Sequence, residues 1–317
     1  MKEVLIGRIE EQKELQKALV SNKAELISVT GRLRIGKTFL IRSFYKDQIS
    51  FEVAGIQGAS LSIQLRNFTT QLTKFIRTTS DLLVPIEQAK DWFAAFVLLI
   101  EYLERKKSED KQVVFFDELP WLSTHKSGFL AAFSYFWNSW AVQQRIVVII
   151  CGSAASWMIR KVVHHRGGLH NRITRQLVLE PFTLAETEEY LWSRGIRIER
   201  YHILQLYMAI GGIPHYLEAL QPGLSATQNI EQIAFSKTAL LKDEFSKLYH
   251  SLFARADRHI QVIRTLADRK QGLTRKQILE NSQLSEGGSI QKVLEELRQS
   301  GFIMAYHPFG KKKNFTV

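Results

Sequence analysis

Three short apolar runs without polar alternation constrain the fold of this chain most strongly. The runs are LISV, VVFF and IVVII. Strands that are buried on both faces carry such runs, whereas a sheet with one solvated face alternates polar and apolar residues. Because longer helical patterns separate the runs, the sequence predicts an α/β fold with a parallel sheet covered by helices on both faces. The predicted strands are residues 25–29, 49–53, 112–116, 145–151 and 176–179.

A change in periodicity divides the chain. After Pro181 the β-branched runs stop, and helical spacing continues to about Phe253. The last part predicts a helix capped by Thr274, a second helix that stops at Gly301, and an aromatic strand with a basic turn, FIMAYHPFGKKK. This order is typical of a winged helix-turn-helix. We therefore predict a sheet domain at residues 1–181, an all-α domain at 182–254 and a winged helix at 255–317.

The segment at residues 31–38 matches the pattern G-x-x-x-x-G-K-[ST] between a strand and a helix. Glycines let backbone N–H groups wrap phosphates, and the following helix N-terminus favours negative charge. Lys37 would reach the β and γ phosphates, and Thr38 would bind Mg²⁺. The residues predicted to bind ATP or ADP here are Gly31, Arg32, Leu33, Arg34, Ile35, Gly36, Lys37, Thr38 and Phe39.

Two carboxylates, Asp117 and Glu118, follow the buried run VVFF. Ligands bind at the carboxyl edge of a parallel sheet, so the pair is expected near the phosphates. We predict that Asp117 holds Mg²⁺ and that Glu118 activates the water that attacks the γ-phosphate. An Asp-Glu pair without a P-loop nearby would more often be a helix cap or a solvated turn.

Another predicted strand ends at Cys151 and Gly152, and the next residue, Ser153, is the candidate sensor of the γ-phosphate. A Gly-Ser loop without ligand contact is the equal alternative.

Downstream, the segment HHRGGLHNRITR gathers six basic side chains in twelve residues. Its histidines lack an acidic or Cys partner at ligand spacing, which disfavours a metal site. Its arginines suit phosphate, or a neighbouring subunit's nucleotide, because guanidinium pairs with phosphate in a bidentate way. A solvated basic loop is the alternative. The basic residues are His164, His165, Arg166, His170, Arg172 and Arg175, of which Arg172 and Arg175 are the catalytic candidates.

The charge balance favours polyanions as partners: 43 basic and 31 acidic residues give a formal net charge of +12. The single cysteine, Cys151, excludes an internal disulfide framework and predicts a buried thiol in a cytoplasmic protein. The beginning of the chain has no secretory pattern, and its most apolar window, residues 92–102, is too short to span a bilayer. We expect no membrane partner.

The strings GRLRIGKTFL, FFDELPWL, CGSAASWMI, GLHNRITR, EPFTL and GGIPHYL occur in this order. This pattern resembles the archaeal and bacterial ATPases of the STAND branch of AAA+ proteins, over essentially the whole chain. The resemblance implies an AAA+ core, Gly7 and Arg8 near the adenine, a helical lid whose Pro214 leans on the nucleotide, and a winged helix. Relatives of this type commonly continue past the winged helix into a nuclease-like domain, whereas this sequence stops at KKKNFTV within the predicted wing. The resemblance therefore implies that an effector domain is missing, through truncation either of the gene or of the chain.

We therefore predict a slow, Mg²⁺-dependent ATP hydrolase whose nucleotide switches it between two states. One alternative is a winged-helix DNA-binding regulator in which nucleotide is structural. Its candidate phosphate contacts are Arg275, Lys276, Lys292, Arg298 and Lys311 to Lys313, although Glu286, Glu295 and Glu296 make the charge of the second helix mixed. Another alternative is an interaction module that binds a protein partner or forms a homo-oligomer according to nucleotide state.

Overall fold

The five predicted strands all form, and they build one sheet. The computed structural model describes residues 5–79, 87–106, 110–153, 155–158, 169, 171–253, 256–269, 272–282, 284 and 288–306. The strand order is β2-β3-β4-β1-β5, and the pairs β1/β4, β2/β3 and β3/β4 are parallel. The strands are β1 (Glu25–Gly31), β2 (Ile49–Ala54), β3 (Gln112–Asp117), β4 (Ile146–Cys151) and β5 (Arg175–Leu179).

In the described residues, helices alternate with these five strands, and only helices follow β5. The helices that belong to the sheet region are α1 (Ile9–Val20), α2 (Lys37–Tyr45), α3 (Leu61–Thr79), α4 (Trp92–Arg105), α5 (Leu119–Leu122), α6 (Phe129–Tyr135) and α7 (Ala155–Met158). Those that follow are α8 (Leu184–Ser193), α9 (Arg200–Ile210), α10 (Pro214–Glu218), α11 (Ala226–Ile230), α12 (Glu244–Leu252), α13 (Ala256–Ala267), α14 (Arg275–Ser282) and α15 (Gly288–Gln299).

The chain divides into two compact units. The first comprises Met1–Thr30, Gly36–Gly152 and Trp157–Leu179, and the second comprises Gly31–Ile35, Ser153–Ser156 and Glu180–Val317. The loop Gly31–Ile35, between β1 and α2, therefore groups with the second unit. The three domain ranges expected from the sequence stay a prediction.

An aromatic cluster supports the middle of the sheet in the first unit. Phe116 on β3 contacts Phe51, Phe96 and Phe133, with ring centroids 5.4–6.2 Å apart. Edge-to-face and tilted pairs of this kind add about 0.5–1.5 kcal/mol each beyond their buried area. Because Asp117 is the next residue, this packing fixes the backbone that presents its carboxylate. The apolar window at residues 92–102 forms part of α4, which supplies Phe96.

The second unit contains two apolar clusters. One spans Phe182 to Ile233 and the other spans Tyr249 to Leu297. Tyr249 and Phe253, which the sequence assigned to the helical domain, pack in the later cluster. A turn separates two helices here: α9 ends before Gly211, whose φ is 68°, and Pro214 begins α10. A Cβ on Gly212 would lie 2.0 Å from the carbonyl oxygen of Phe182, so this close approach requires glycine.

The helices expected near the end of the chain are present, but the strand expected after them is not formed within residues 302–306. Thr274 caps α14, where its hydroxyl accepts from the N–H of Gln277, and Gly301 follows α15 with φ 71°. Among residues 302–306, Tyr306 alone has an isolated bridge. The predicted basic turn, with Lys311 to Lys313, lies outside the described residues, as does Glu286. The winged helix therefore stays a prediction. No helix in the described ranges has both the length and the apolar character needed to cross a membrane.

Candidate nucleotide-binding site

The loop between β1 and α2 has the backbone that an anion cradle needs. Gly31 and Gly36 have φ values of 147° and 90°, and Arg34 lies in the left-handed region with φ 67°. The first two are favourable only for glycine, because a Cβ would strain the chain there. Gly36 is the N-cap of the nine-residue helix α2 and has no side chain to occupy the first N–H groups. The first turn of a helix presents its backbone N–H groups toward the N-terminus, where they can donate to a phosphate.

Lys37 begins α2 and is only 5 % exposed. Burial lowers the pKa of its ammonium group, and the neighbouring carboxylates of Glu118 and Asp117 oppose this shift in part. A buried cation surrounded by acidic groups is strongly stabilised by added negative charge. Lys37 is therefore suited to a polyphosphate.

Thr38 and Asp117 meet as the sequence predicted for a shared metal. The Thr38 hydroxyl donates to Asp117 Oδ2 at 2.7 Å, and the N–H of Glu118 donates to Asp117 Oδ1 at 3.0 Å. Hydroxyl and carboxylate oxygens are the ligands that Mg²⁺ prefers, together with water and phosphate. This donor set fits Mg²⁺ with the phosphates of a nucleotide.

Glu118 has an unusual backbone conformation at the end of β3. Its φ and ψ are 45° and 50°, the left-handed region that a non-glycine residue rarely occupies, and it is the N-cap of α5. Such conformations persist only where the surroundings enforce them, and they cluster at functional sites. The side chain is half-buried.

Three residues that the sequence did not single out enforce the turn after Glu118. A Cβ on Gly55 would lie 2.6 Å from the Glu118 carbonyl oxygen, and a Cβ on Gly152 would lie 2.8 Å from Pro120 Cδ. Gln64 is fully buried, and its Nε2 donates to the carbonyl oxygen of Trp121 at 3.0 Å. The one signal for Gly55 in the sequence was its place two residues after the second predicted strand, where a glycine often marks a close approach of another backbone.

The expected burial of Cys151 is confirmed, and the residue lies beside the acidic pair. Cys151 pairs with Val29 across β4 and β1, and Phe116 pairs with Ile150 across β3 and β4. Burial raises the pKa of the thiol well above its ordinary value, and Asp117 acts in the same direction. The thiol is therefore protonated and structurally inert.

Arg175 lies at the other end of β1 from the phosphate-binding loop. It pairs with Glu14 on α1 at 2.6 Å and with Glu25, the first residue of β1, at 3.4 Å. Burial alone would raise the pKa of Glu25, but hydrogen bonds from Thr174 and Ser21 and the charge of Arg175 lower it. This placement favours a structural ion pair for Arg175, so we leave it out of the proposed catalytic set.

The remaining catalytic and lid candidates stay predictions. Ser153 is buried and belongs to the second unit, Pro214 begins α10, and Arg172 is exposed in the turn before β5. The other basic side chains of that segment, His164, His165, Arg166 and His170, lie outside the described residues. Within the described ranges, no group of three or more His, Cys, Asp or Glu side chains has a metal-binding arrangement.

Near the beginning of the chain, Gly7 and Arg8 both have left-handed backbones, with φ values of 61° and 57°. Arg8 is 5 % exposed and its guanidinium lies 3.4 Å from Glu11. The Gln12 side-chain amide donates to the Gly7 carbonyl oxygen at 2.7 Å, which fixes this entry into α1. The described contacts do not test the predicted adenine role.

Side chains of the loop itself differ in exposure. Phe39 is 39 % exposed on α2, and Ile35 is 1 % exposed. Leu33 is half-buried. The side chains of Arg32 and Arg34 contact Phe302 and Glu244. The nucleotide contacts predicted for these two arginines would therefore come from their backbone N–H groups.

A family model described as "ATPase domain predominantly from Archaea" matches residues 5–220. A protein of Methanocaldococcus jannaschii is 29% identical over 219 residues, which is 69% of this chain and 44% of that protein. The matched region therefore spans less than half the length of this curated relative.

Two solved structures are similar over nearly the whole chain. The Walker-type ATPase of Pyrococcus abyssi has a TM-score of 0.71 at 18% identity, and the match covers 98% of this chain and 93% of that one. The ORC2 protein of Aeropyrum pernix, solved in complexes with ADPNP and ADP, has a TM-score of 0.60 at 14% identity, covering 96% and 90%. At these identities the likeness confirms the predicted α/β P-loop fold.

Proposed function

Because this chain belongs to a family of ATPase domains found predominantly in Archaea, with the P-loop fold of AAA+ proteins, we propose that it binds ATP with Mg²⁺ and hydrolyses it slowly. The observation that carries the proposal is the joint position of the buried Lys37 and the hydrogen-bonded pair Thr38 and Asp117. A buried ammonium and a hydroxyl–carboxylate pair, directly after a phosphate-binding loop, form the donor set of an Mg²⁺-nucleotide site. The ADPNP and ADP complexes of the Aeropyrum pernix protein support nucleotide as the ligand.

The metal would be held by Thr38 and Asp117. When bound, Mg²⁺ neutralises charge on the phosphate oxygens. Lys37 contributes a positive charge at the β and γ phosphates. The N–H groups at the beginning of α2 contribute fixed dipoles that need no reorganisation during the reaction.

Glu118 is the general base of this proposal. Its carboxylate accepts a proton from the attacking water, the new P–O bond forms at the γ-phosphate, and the bond to the β,γ-bridging oxygen breaks to leave ADP and inorganic phosphate. The left-handed backbone of Glu118 supports this role, because strained conformations cluster at functional sites. Close packing of Gly55 and Gly152 against the turn keeps this conformation, so the Glu118 side chain is not needed to maintain it.

The test compares phosphate release and ATP affinity in the parent and in Glu118→Gln. We expect phosphate release to fall by about 10²–10⁴-fold while affinity changes little, since general-base catalysis contributes about that factor. Glu101→Gln is the matched control, because Glu101 is half exposed on α4 and pairs only weakly with Arg105. Parental turnover in Glu118→Gln with unchanged affinity would refute the role of Glu118.

In the same proposal ATP and ADP favour different states of the protein, and a switch needs a difference in affinity between those states. A protein partner or a second copy would respond to that state. The single buried cysteine supports a reducing compartment, the cytoplasm, as the place of action.

The DNA-binding alternative gains no support from α15. Lys292 lies 4.0 Å from Glu296, and Arg298 pairs with Glu295 at 2.8 Å, so both candidate phosphate contacts already have acidic neighbours. Duplex binding that weakens steeply between 50 and 200 mM salt would revive it, because phosphate contacts release counterions.

A further inference from the structure

Two arginines of the phosphate-binding loop have partners much later in the chain, Glu244 and Phe302. Arg34 Nη1 lies 2.7 Å from Glu244 Oε2 at the beginning of α12, and the Tyr216 hydroxyl on α10 donates to Glu244 Oε1 at 2.9 Å. The Glu244 side chain is only 8% exposed, and that of Arg34 is 30% exposed. The loop Gly31–Ile35 and these partners lie in the same compact unit.

The second arginine makes a cation–π contact with an aromatic ring. The Arg32 guanidinium lies over the Phe302 ring, 4.7 Å from its centroid, and the Phe302 ring packs against Tyr249 at 4.7 Å. Gly301 has φ 71°, and a Cβ there would lie 3.3 Å from Arg32 Cγ and Cδ. The loop is thus attached at two points, an ion pair and a cation–π contact.

A buried carboxylate is stable only where it is paired and hydrogen-bonded, and Glu244 has both a guanidinium and a phenol as partners. Burial and the Glu244 carboxylate raise the pKa of Tyr216 far above its ordinary value, so its hydroxyl keeps the proton that it donates. Loss of Arg34 would leave the buried Glu244 carboxylate without its charge partner, so the ion pair favours one geometry of these two side chains.

The backbone conformation of the loop requires a stabilising contact such as the ion pair between Arg34 and Glu244. Arg34 keeps a left-handed backbone without being glycine, and this conformation is unfavourable when nothing compensates it. Its partner Glu244 lies more than two hundred positions along the chain. The contact therefore links the local shape of the loop to the packing of α10 and α12.

We propose that Glu244 is a positioning residue for the nucleotide site: with Tyr216 it holds Arg34, and through Arg34 it keeps the phosphate-binding loop in the shape that receives phosphate. The proposal rests on the proposed function, since it takes ATP as the ligand of that loop. A loop already held in its bound shape loses less freedom on binding, which increases affinity. The coupling is reciprocal, so ATP stabilises the ion pair as much as the ion pair stabilises bound ATP.

The test is a double-mutant cycle on ATP affinity with Glu244→Gln, Arg34→Gln and both together. Each single variant should bind ATP about tenfold more weakly, which corresponds to about 1.4 kcal/mol. The double variant should bind no more weakly than the weaker single variant, because the two changes break one interaction. Arg200→Gln is the matched control: Arg200 pairs with Glu188 on an exposed surface of the same unit, and its removal should leave affinity unchanged.

Thermal unfolding without nucleotide separates positioning from plain stabilisation. If Glu244→Gln and Arg34→Gln lower the Tm but leave ATP affinity at the parental value, the positioning role is refuted, and tighter binding would refute it as well. A parent that binds no ATP would instead refute the proposed function itself. If Glu244→Gln does not fold, Tyr216→Phe, which removes one hydroxyl, should weaken ATP binding about threefold. Unchanged affinity in that variant would also contradict the proposal.

Discussion

Gly55→Ala should damage hydrolysis without contacting the nucleotide. The added Cβ would lie 2.6 Å from the Glu118 carbonyl oxygen, 2.9 Å from the Leu122 nitrogen and 2.9 Å from Trp121 Cβ. Two of these three atoms belong to the backbone of the turn after β3, which cannot rotate away as a side chain would. The turn that carries Glu118 must therefore move.

The size of the movement follows from these distances. The shortest contact is about 0.8 Å below the 3.4 Å at which ordinary contact begins. Overpacking of a close-packed site typically costs about 1–3 kcal/mol of unfolding free energy. A catalytic group displaced by about 1 Å can lose about 10²-fold in rate. We expect a loss of that order in phosphate release, with ATP affinity close to parental.

The assay is steady-state phosphate release alongside equilibrium ATP binding and thermal unfolding. Gly58→Ala is the matched control: Gly58 has φ 69° and no atom within 4 Å of its added Cβ, so alanine there strains the backbone without a clash. Its strain costs about 1–2 kcal/mol, comparable to the effect on stability at Gly55. Equal turnover in the two alanine variants would refute the argument that Gly55 holds the catalytic turn.

Two further predictions concern charged groups at opposite ends of β1. Arg175→Ala should lower the unfolding free energy by about 3 kcal/mol, because it leaves the fully buried Glu25 without its guanidinium partner. The KM for ATP should stay at the parental value, and a raised KM would return Arg175 to the nucleotide site. That stabilisation by Arg175 should be present above the ordinary pKa of Glu25 and lost on acidification, since the pairing lowers this pKa. ATP binding should take up protons at alkaline pH, because burial lowers the pKa of Lys37 and phosphate restores its charge. Calorimetry in two buffers of different ionisation enthalpy measures this proton uptake. Lys37→Arg should abolish the uptake, because a guanidinium keeps its charge. If the parent protein takes up no protons, the proposed gain of charge by Lys37 on ATP binding is contradicted.

Much of the sheet was predictable because its physical signal is local. Unbroken apolar runs identify strands buried on both faces, and all five strands formed within two residues of their expected bounds. The contact between Thr38 and Asp117 was also predictable, since both residues follow carboxyl ends of strands in one sheet.

The position of Arg175 in the sequence already indicated that it lies away from the nucleotide site. Arg175 directly precedes the last predicted strand, residues 176–179, whereas a ligand site at the carboxyl edge of a parallel sheet draws its residues from the ends of strands. Its partner Glu25 is likewise the first residue of β1. For deciding whether a residue can reach the nucleotide, its position along the strand is therefore a better guide than the chemical suitability of a guanidinium for phosphate.

Other features could not be obtained from local patterns. The partner of Arg34 is a glutamate more than two hundred residues away, and no periodicity encodes such a pair. The need for glycine at position 55 arises from the backbone of a different loop, which passes within contact distance only in the folded chain. Tyr249 and Phe253 continue a helical pattern but pack in the later cluster, because packing rather than periodicity decides the neighbours of a helix.

Equilibrium binding of ATP in the presence of Mg²⁺, compared between the parent and Lys37→Ala, tests the central claim most directly. We predict saturable, Mg²⁺-dependent binding in the parent. In Lys37→Ala, affinity should fall by about 10²-fold or more, because the variant removes a buried charge that the phosphates would neutralise. Parental affinity in Lys37→Ala, or a parent that binds no ATP while remaining folded, would contradict the assignment of this loop as a nucleotide site.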